Sequence, residues 1–333
     1  MPKYPRVNYI GNKEKLAGWI IGELPVASGT VLDLFAGGCS VSYALKKKGY
    51  AVISNDILYA DYILGKALIE NDRCTLKPSV FDIQPQKERE EKLEKQFSFL
   101  SERLYYSREV KELAHLAAVA EELCEEERYL FLALIRRAMI RKLPYSRMNV
   151  PWDQIKLLRN EAYSYEKYGR KRAYHNQTFE SHMRENFEDY NRAVFTGQRK
   201  CTVFNCDAME LADKTDFVDV VYLDPPYPST MNNYDAFYGL FDNMFQAGKK
   251  HADFTRRDCF LENLEELIRK LRGKTDYIVL SQNTRVRPEP EIIARMLGNY
   301  GQVSVREKKH NYQVTGKQNK NGSKELLFVV RMN

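Results

Sequence analysis

The order of apolar and polar positions near the start of the chain is typical of an α/β protein. An apolar run over 31–35 leads into a glycine pair, a helical pattern over 40–48 and a second apolar run over 50–54. A strand, a tight turn, a helix and a strand in this order predict two parallel strands joined by a helix. Later apolar runs predict further strands at 201–205, 218–223, 277–281, 301–306 and 326–332. The predicted fold class is therefore α/β, with a doubly wound and mainly parallel sheet.

This rhythm is interrupted between about residues 76 and 195. Residues 84–141 have a helical period and are rich in Glu, Lys, Leu and Ala, whereas residues 143–195 are irregular, aromatic and basic. Neither stretch predicts a strand. The sequence therefore predicts a discontinuous sheet domain, formed by residues 1–75 and 196–333, and an inserted domain over 76–195.

Composition and cysteine spacing exclude several classes of protein. No apolar run reaches the ~18 residues of a membrane span, and the N-terminus has no apolar signal core, so we expect neither membrane insertion nor secretion. The six cysteines form no C-x-x-C pair and the five histidines do not cluster with them, so we expect neither a disulfide frame nor a metal site. A net charge of +7 favours an anionic partner.

A glycine turn follows the first predicted strand, in the stretch D-L-F-A-G-G-C-S from Asp33 to Ser40. Glycines let a ligand approach the backbone closely, and the N-terminus of the next helix attracts a negative group. The spacing differs from the G-x-G-x-x-G dinucleotide fingerprint. Asp56 closes the second strand, where an acid can bind ribose hydroxyls, although capping of the next helix explains this residue equally well. Together these features predict a ligand that contains a nucleoside.

The apolar run V-V-Y-L ends in D-P-P-Y, Asp224 to Tyr227. Consecutive prolines exclude both a continued strand and an immediate helix, so this loop is rigid and lies at a strand's carboxyl end, where α/β proteins bind ligands. The Asp224 carboxylate and the Pro225 carbonyl are two fixed acceptors, which suit the two hydrogens of an exocyclic amino group. Accepting both hydrogens favours a pyramidal nitrogen whose lone pair points at an electrophile, and the Tyr227 ring offers a face on which a base can stack.

At this point the sequence resembles a known family. D-P-P-Y resembles the catalytic tetrapeptide of the amino-methylating DNA methyltransferases, and D-L-F-A-G-G resembles their S-adenosylmethionine loop. N-Y-I-G-N-K, residues 8–13, is similar to the K-W-x-G-G-K segment of the Dam-like adenine methylases, with Tyr9 and Lys13 matching and both asparagines departing. The order of these motifs, with an insertion before D-P-P-Y, resembles the α group, whose insertion reads DNA. M-N-V-P-W, residues 148–152, is similar to the F-N-V-P-F of that insertion.

The resemblance implies a Rossmann-like methyltransferase sheet with an inserted, largely helical target-recognition domain. It implies methyl transfer from S-adenosylmethionine to N6 of an adenine flipped out of double-stranded DNA. By the same resemblance, Asp56 binds the ribose hydroxyls and Asp207 binds the adenine amino group of the cofactor. The expected catalytic residues are Asp224, Pro225, Pro226 and Tyr227. The expected cofactor-binding residues are Tyr9, Lys13, Asp33, Phe35, Ala36, Gly37, Gly38, Asp56 and Asp207.

Charge is unevenly distributed along the insertion. Residues 76–130 hold 9 basic and 13 acidic side chains, whereas residues 131–175 hold 11 basic and 3 acidic ones, interleaved with aromatics. Such a segment suits phosphate contact and base reading. The predicted phosphate contacts, at a helix end, are Arg136, Arg137, Arg141 and Lys142. The predicted base contacts, in a proline-bounded loop, are Arg147 and Asn149.

A second basic element lies between the last two predicted strands. Residues 306–324 hold 6 basic and 1 acidic side chains and end in the tip K-Q-N-K-N-G-S, residues 317–323. We predict a long hairpin loop that reaches DNA, with Lys308 and Lys309 among its contacts.

Several functions remain open at this stage. The same chemistry on cytosine N4 or on adenine in RNA is one alternative, although the cytosine enzymes usually carry Ser in place of Asp224. A non-catalytic DNA-binding protein on a decayed methylase scaffold is another, and the intact tetrapeptide and glycine turn argue against it. We expect a monomer in the bacterial cytoplasm, associated with the nucleoid. The resemblance implies the protective methylase of a restriction–modification system, with a cognate endonuclease that forms no stable complex with it.

Overall fold

The computed structural model describes residues 2–169, 173–228, 234–309 and 324–333. Its helices are α1 (Glu14–Gly22), α2 (Ser40–Lys48), α3 (Tyr59–Gly65), α4 (Lys87–Phe97), α5 (Ser107–Glu121), α6 (Glu125–Lys142), α7 (Trp152–Arg159), α8 (Glu161–Tyr168), α9 (Phe179–Ala193), α10 (Ala208–Lys214), α11 (Tyr234–Met244), α12 (Phe260–Leu271) and α13 (Pro290–Gly298). Its strands are β1 (Thr30–Asp33), β2 (Ala51–Asn55), β3 (Thr202–Phe204), β4 (Val218–Leu223), β5 (Thr275–Asn283), β6 (Gly301–Lys309) and β7 (Lys324–Met332). None of the described helices is long and apolar enough to cross a membrane.

The chain divides into two compact units. The sheet unit comprises Gly11–Gly65, Gly197–Tyr234 and Lys249–Asn333, and the helical unit comprises Met1–Ile10, Lys66–Thr196 and Asp235–Gly248. This division differs from the expected boundaries near 76 and 195, because two further segments belong to the helical unit. Within that unit Tyr9 stacks on Tyr238, with ring centroids 5.1 Å apart, and the backbone N–H of Ile10 donates to the Tyr238 hydroxyl.

The sheet unit is built on one sheet with the strand order β3-β2-β1-β4-β5-β7-β6. Strands β1 to β5 run parallel to one another, whereas β7 is antiparallel to both β5 and β6. The predicted α/β fold class, with its mainly parallel sheet, is therefore confirmed. From β1 the chain proceeds outward through β2 and β3, and from β4 it proceeds the other way. The topological switch point thus lies between the carboxyl ends of β1 and β4, where open α/β sheets bind ligands.

Local sequence explains where these elements begin and end. Helix α2 spans the predicted residues and ends at Gly49, whose φ of 100° is easy only for glycine. Strand β4 also has the predicted bounds, and an apolar run forms it because it is almost wholly buried between two parallel neighbours. Strands β6 and β7 pair from Gly301 to Lys309, which confirms the two arms of the predicted hairpin. Its predicted tip, residues 317–323, lies outside the described residues.

The helical unit contains more helix than the sequence indicated. The helical prediction for 84–141 is confirmed by α4, α5 and α6, but the prediction that 143–195 is irregular is wrong. Helices α7, α8 and α9 occupy much of this stretch. The side chains of Asn160 and Thr178 cap α8 and α9, and α9 buries an apolar face spaced at helical period. Aromatic and basic residues on the other faces of α9 make this helical period difficult to recognise in the sequence.

A buried ion cluster joins three elements of the helical unit. Both carboxylate oxygens of Glu109, on α5, accept from the Arg159 guanidinium at 2.8 and 2.6 Å. The Lys142 ammonium lies 2.8 Å from the same carboxylate, and all three side chains are buried. Burial opposes ionisation of Glu109, but the two cations outweigh it and lower the pKa to about 2 from the usual 4.5. Because the folded pKa lies below the unfolded one, this stabilisation is complete above about pH 4.5 and is lost as the pH falls towards 2.

We expect Glu109→Gln to destabilise the protein at pH 7, because it leaves two buried cations without their counter-charge. Breaking a buried pair on one side costs about 3–5 kcal/mol. Urea unfolding followed by circular dichroism measures this loss, and the difference from wild type should shrink between pH 5 and pH 3. The matched control is Glu94→Gln, because Glu94 forms an exposed pair with Lys111 and its loss costs less than about 1 kcal/mol. Equal effects of the two substitutions would contradict a dominant role for the buried cluster.

Candidate active site

Four carboxylates lie at one edge of the sheet in the sheet unit. Asp33 ends β1, Asp56 follows β2, Asp207 follows β3 and Asp224 follows β4. Because these strands are parallel neighbours, their carboxyl ends point to the same edge. The edge includes the switch point between β1 and β4, so the predicted cofactor acids and the predicted catalytic acid are brought to one region.

Asp224 is held by a lysine from the N-terminal segment. The ammonium of Lys13 donates to both carboxylate oxygens, at 2.8 and 2.7 Å. The loop from Asp224 to Tyr227 has no regular secondary structure, as its two prolines require, and Pro225 is buried while Pro226 is half-buried. The structure therefore places Lys13, predicted to bind the cofactor, directly at the predicted catalytic carboxylate.

The Tyr227 hydroxyl lies between two carboxylates. It accepts from the Lys13 ammonium at 3.2 Å, and it lies 3.2 Å from Oδ1 of Asp224 and 3.1 Å from Oε1 of Glu325. Its single hydrogen serves one of these acceptors at a time. Glu325 also accepts from the Ser281 hydroxyl at 2.7 Å and lies 3.5 Å from the Lys13 ammonium. The hydroxyl of Tyr227, and not only its ring, is thus part of the site.

Burial sets the protonation behaviour of both central acids. It raises the pKa of Asp224 above the usual 3.8, the ammonium of Lys13 lowers it, and the charge of Glu325 raises it again. Burial also raises the pKa of Asp33 to about 7, with the Ser42 hydrogen bond lowering it and the charge of Asp224 raising it. Raised carboxyl pKa values at a strand-end cluster are typical of functional sites.

The glycine turn contains two residues with left-handed backbone. Gly37 has a φ of 49° and Cys39 a φ of 62°, both in the left-handed region. The Gly37 N–H donates to Asp56 Oδ2 at 2.8 Å, and the Ala36 N–H donates to the Asn55 carbonyl at 2.9 Å. The turn is therefore fixed to the end of β2. Gly38 is buried beside it.

Asp33 lies at the base of this turn. Ser42 donates to its Oδ2 at 2.6 Å, while its Oδ1 is buried and has no hydrogen-bond partner among the described residues. A buried polar atom without a partner is costly, and a donor on a bound ligand would satisfy it. Phe35, two residues on, packs edge-on against Phe254 at 5.1 Å and belongs partly to the core.

The other two acids have structural roles. Asp56 also accepts from the Leu58 N–H at 2.9 Å, but α3 begins only at Tyr59, so this bond forms a turn before the helix and Asp56 is not its N-cap. Asp207 is the N-cap of α10 and accepts from the Met209 N–H, while its other oxygen accepts from the Ala252 N–H at 2.8 Å. Both carboxylates are thereby held rigidly at the strand ends.

Three of the predicted phosphate contacts are corrected by the structure. Lys142 is 1% exposed and belongs to the buried ion cluster with Glu109. Arg136 and Arg137 are only 1% and 3% exposed, because they lie on α6 where it is packed on all sides. The Arg136 guanidinium lies over the Tyr9 and Tyr238 rings and donates to the Val7 carbonyl. These two arginines support the interior of the helical unit and do not present their charge at the surface. Arg141, one turn further along the helix, is half-buried.

The predicted reading loop is held in an unusual conformation. Tyr145 and Ser146 have φ values of 60° and 56°, in a region that non-glycine residues rarely occupy. The Arg147 guanidinium lies over the Tyr145 and Phe237 rings at 5.7 and 5.6 Å. The next residue's N–H donates to the Phe237 carbonyl, and Asn149 is exposed. The loop is thus fixed while its polar tip faces solvent.

Lys308 and Lys309 are exposed on β6, within the sheet unit. The Lys308 ammonium lies 5.7 Å from the centre of the Trp19 ring. The neighbouring Arg306 lies 3.4 Å from a Glu23 carboxylate oxygen. The start of the predicted hairpin therefore carries surface cations on a regular strand.

One other group of side chains has the composition of a metal site. The ligand atoms of Cys74, Cys124 and Glu127, in the helical unit, lie within 4.8 Å of one another. Burial raises the pKa of the Cys74 thiol to about 11, so this sulfur is protonated at neutral pH unless a cation displaces the proton. The group contains none of the four strand-end carboxylates.

Sequence reasoning missed Glu325 and the position of Lys13 at the catalytic carboxylate. Glu325 precedes the apolar run L-L-F-V-V and looks like the polar start of a strand. Only the pairing of β7 with β5 brings it to Ser281, which lies 44 positions away in the chain. No local pattern identifies such a residue.

Comparison with known proteins agrees with this geometry. The family described as D12 class N6 adenine-specific DNA methyltransferase matches residues 9–266. The chain is 46% identical to Type II methyltransferase M2.HphI of Haemophilus parahaemolyticus, over 99% of this chain and 98% of that protein. It is 38% identical over 77 residues to Type II methyltransferase M.NlaIII of Neisseria lactamica, which covers 21% of this chain and 23% of the relative. With the strand-end acids and the tetrapeptide in place, the chain belongs to the D12 class of N6 adenine-specific DNA methyltransferases.

Proposed function

We propose that the chain methylates N6 of an adenine flipped out of double-stranded DNA, with S-adenosylmethionine as methyl donor and Asp224 as the residue that binds the target amino group. One observation carries this proposal. The Lys13 ammonium donates N–H groups to both oxygens of Asp224, so a nitrogen with its hydrogens fits against this carboxylate. The target amino group would use acceptor sites on Asp224 that the Lys13 ammonium now occupies.

The residues around the glycine turn fit S-adenosylmethionine. The buried Oδ1 of Asp33 has no hydrogen-bond partner among the described residues, so it suits a positively charged hydrogen-bond donor on the ligand. The left-handed backbone at Gly37 lets a ligand approach the chain. Asp56 and Asp207 lie after the neighbouring strands β2 and β3, and by the family resemblance they bind the ribose hydroxyls and the adenine amino group. When bound, S-adenosylmethionine supplies an electrophilic methyl group. Tyr9 and Lys13 were assigned to the cofactor by resemblance, and the contacts of Lys13 make the catalytic carboxylate its main partner.

Asp224 and the Pro225 carbonyl supply the two acceptors that the amino group requires. An adenine amino group is a poor nucleophile because its lone pair is delocalised into the ring. Acceptors held rigidly by two prolines bind its hydrogens and favour the pyramidal nitrogen, and such preorganisation costs no rearrangement during the reaction. Flipping an adenine costs a few kcal/mol, and stacking on an aromatic face such as Tyr227 returns about 1–3 kcal/mol.

We propose that DNA is bound by surface cations and by the reading loop. In the helical unit these are Arg141, Arg147 and Asn149, and in the sheet unit they are Lys308 and Lys309. Phosphate contacts supply affinity, and contacts to base edges supply sequence preference. The fixed backbone around Arg147 and the exposure of Asn149 support base reading by this loop.

The similarity to Type II methyltransferases supports a place in restriction and modification. We propose that the chain protects host DNA against a cognate restriction endonuclease, acts as a monomer and forms no stable complex with that endonuclease. Its location would then be the bacterial cytoplasm, at the nucleoid, where its substrate is.

We expect Asp224→Ala to lower the single-turnover rate of methylation by about 100- to 1,000-fold, because it removes the acceptor that holds the amino group. Transfer of a labelled methyl group to unmethylated duplex DNA measures this rate. Asp216→Ala removes an exposed aspartate just before β4 and is the matched control, with no expected change. A rate within tenfold of wild type for Asp224→Ala would exclude the proposed role.

We expect Gly37→Val to abolish measurable binding of S-adenosylmethionine, because a branched side chain is strained at a φ of 49° and blocks the approach of the ligand. Asp56→Ala should weaken binding by losing both the ribose contact and the bond to the Gly37 N–H. Isothermal calorimetry measures both affinities. Gly18→Val is the control, because Gly18 lies in α1 with open space around its Cα. Unchanged affinity in both test variants would place the cofactor elsewhere.

We expect two kinds of DNA-binding variant to differ. Lys308→Ala should weaken binding to all sequences and reduce the slope of log K against log salt by about one, as loss of one phosphate contact does. Arg147→Ala and Asn149→Ala should instead relax preference at particular base pairs, by about 1–3 kcal/mol each. Methylation of a randomised duplex library, with binding titrations at several salt concentrations, separates the two effects. Lys87→Ala is the control, since Lys87 is 89% exposed on α4, outside both basic segments. Wild-type sequence preference in both loop variants would move base reading to another element.

A further inference from the structure

Glu325 is a buried carboxylate at the proposed catalytic residue. Its side chain is 0% exposed, and it lies at the start of β7, a strand outside the recognised motifs. Burying a carboxylate is costly unless a cation and hydrogen-bond donors compensate it. Lys13, Tyr227 and Ser281 provide those partners, at 3.5, 3.1 and 2.7 Å. The free-energy cost of burying Glu325 beside Asp224 indicates that this residue has a function.

The donors around Asp224 compete with a target amino group for the lone pairs of the carboxylate. Lys13 donates to both oxygens of Asp224, and the Tyr227 hydroxyl lies within hydrogen-bonding distance of one of them. A donor that leaves Asp224 needs another acceptor nearby, because an unsatisfied buried donor is costly.

Glu325 is the alternative acceptor for both donors. The Tyr227 hydroxyl is already at 3.1 Å from its Oε1, so a rotation of the O–H bond alone transfers the hydrogen bond. The Lys13 ammonium is at 3.5 Å from the same oxygen, so a short displacement of a flexible side chain brings it into contact. Ser281 keeps the carboxylate in place from β5.

Resting on the proposed function, we infer that Glu325 is a positioning residue for methyl transfer, which takes Lys13 and the Tyr227 hydroxyl from Asp224 when the target amino group binds. Lys13 then remains near enough to keep Asp224 ionised. No bond is made or broken in this step, because only hydrogen-bond partners are exchanged.

The test compares Glu325→Gln with Glu291→Gln, in protein whose wild type is first shown to methylate adenine in DNA. Glutamine keeps the shape and an acceptor oxygen but loses the charge that attracts Lys13. We expect kcat to fall by about 10- to 100-fold, the size of effect seen when outer partners of a catalytic group are removed. The affinity for S-adenosylmethionine should stay within twofold of wild type. Glu291 is exposed on α13, and its substitution should change neither quantity.

The pH dependence of kcat distinguishes a positioning role of Glu325 from a purely structural role. Asp224 is faced by Lys13, Tyr227, Glu325 and Asp33, and among these Glu325 raises its pKa while Lys13 lowers it. Activity requires the ionised carboxylate, so the acid limb of kcat follows this pKa. Removing the charge of Glu325 should therefore shift the acid limb to lower pH. A loss of packing would lower kcat without moving the limb.

If Glu325→Gln does not fold, Tyr227→Phe provides the test, because it keeps the ring and removes the hydroxyl that links the two carboxylates. A fall of kcat by tenfold or more would support the exchange, and a fall below threefold would contradict it. For Glu325→Gln, kcat within twofold of wild type with an unchanged acid limb would overturn the inference. Failure of the proposed function would appear differently, as absence of methylation by the wild type.

Discussion

The contact between the Lys13 ammonium and the Asp224 carboxylate is the interaction on which the candidate site depends. Burial strengthens every hydrogen bond that Asp224 makes, because the surroundings screen charge poorly, but it also favours the neutral acid. A neutral carboxyl offers fewer acceptor lone pairs to an amino group. Lys13 opposes this tendency, and Glu325 opposes Lys13. A cation 2.7 Å from the carboxylate therefore opposes the effect of burial on its charge.

The fold around this contact was largely accessible from the sequence, because its signals are local. Strand β4 is apolar throughout since parallel neighbours cover it, and α2 is bounded by residues with left-handed backbone. The two prolines after Asp224 fix the loop without help from distant residues. Where a residue's neighbours along the chain determine its conformation, the pattern of the sequence predicted the structure. The strand-end acids belong to this class, because parallel topology brings them to one edge.

The features that escaped prediction depend on distant partners or on burial. Arg136 looked like a surface cation because arginine is rarely buried, yet it lies between aromatic rings of two other segments. Glu325 meets Tyr227 across 98 positions of the chain, through a strand pairing that no local pattern specifies. Helix α9 was hidden for another reason, since its apolar face is interleaved with charged and aromatic residues on the other faces.

The tetrapeptide and the residues around it therefore determine different properties of the two acceptors. The tetrapeptide fixes the directions of the acceptors, and these directions depend on four consecutive residues. Whether the first acceptor is charged is decided by Lys13, 211 positions away, and by Glu325 on the last strand. A chain that kept the tetrapeptide but lost the lysine would retain the geometry and leave burial as the main influence on the carboxyl pKa, which would then rise. Its acceptor would be neutral over more of the physiological pH range. The function proposed for the motif therefore depends on the cation and the second carboxylate as well as on the prolines.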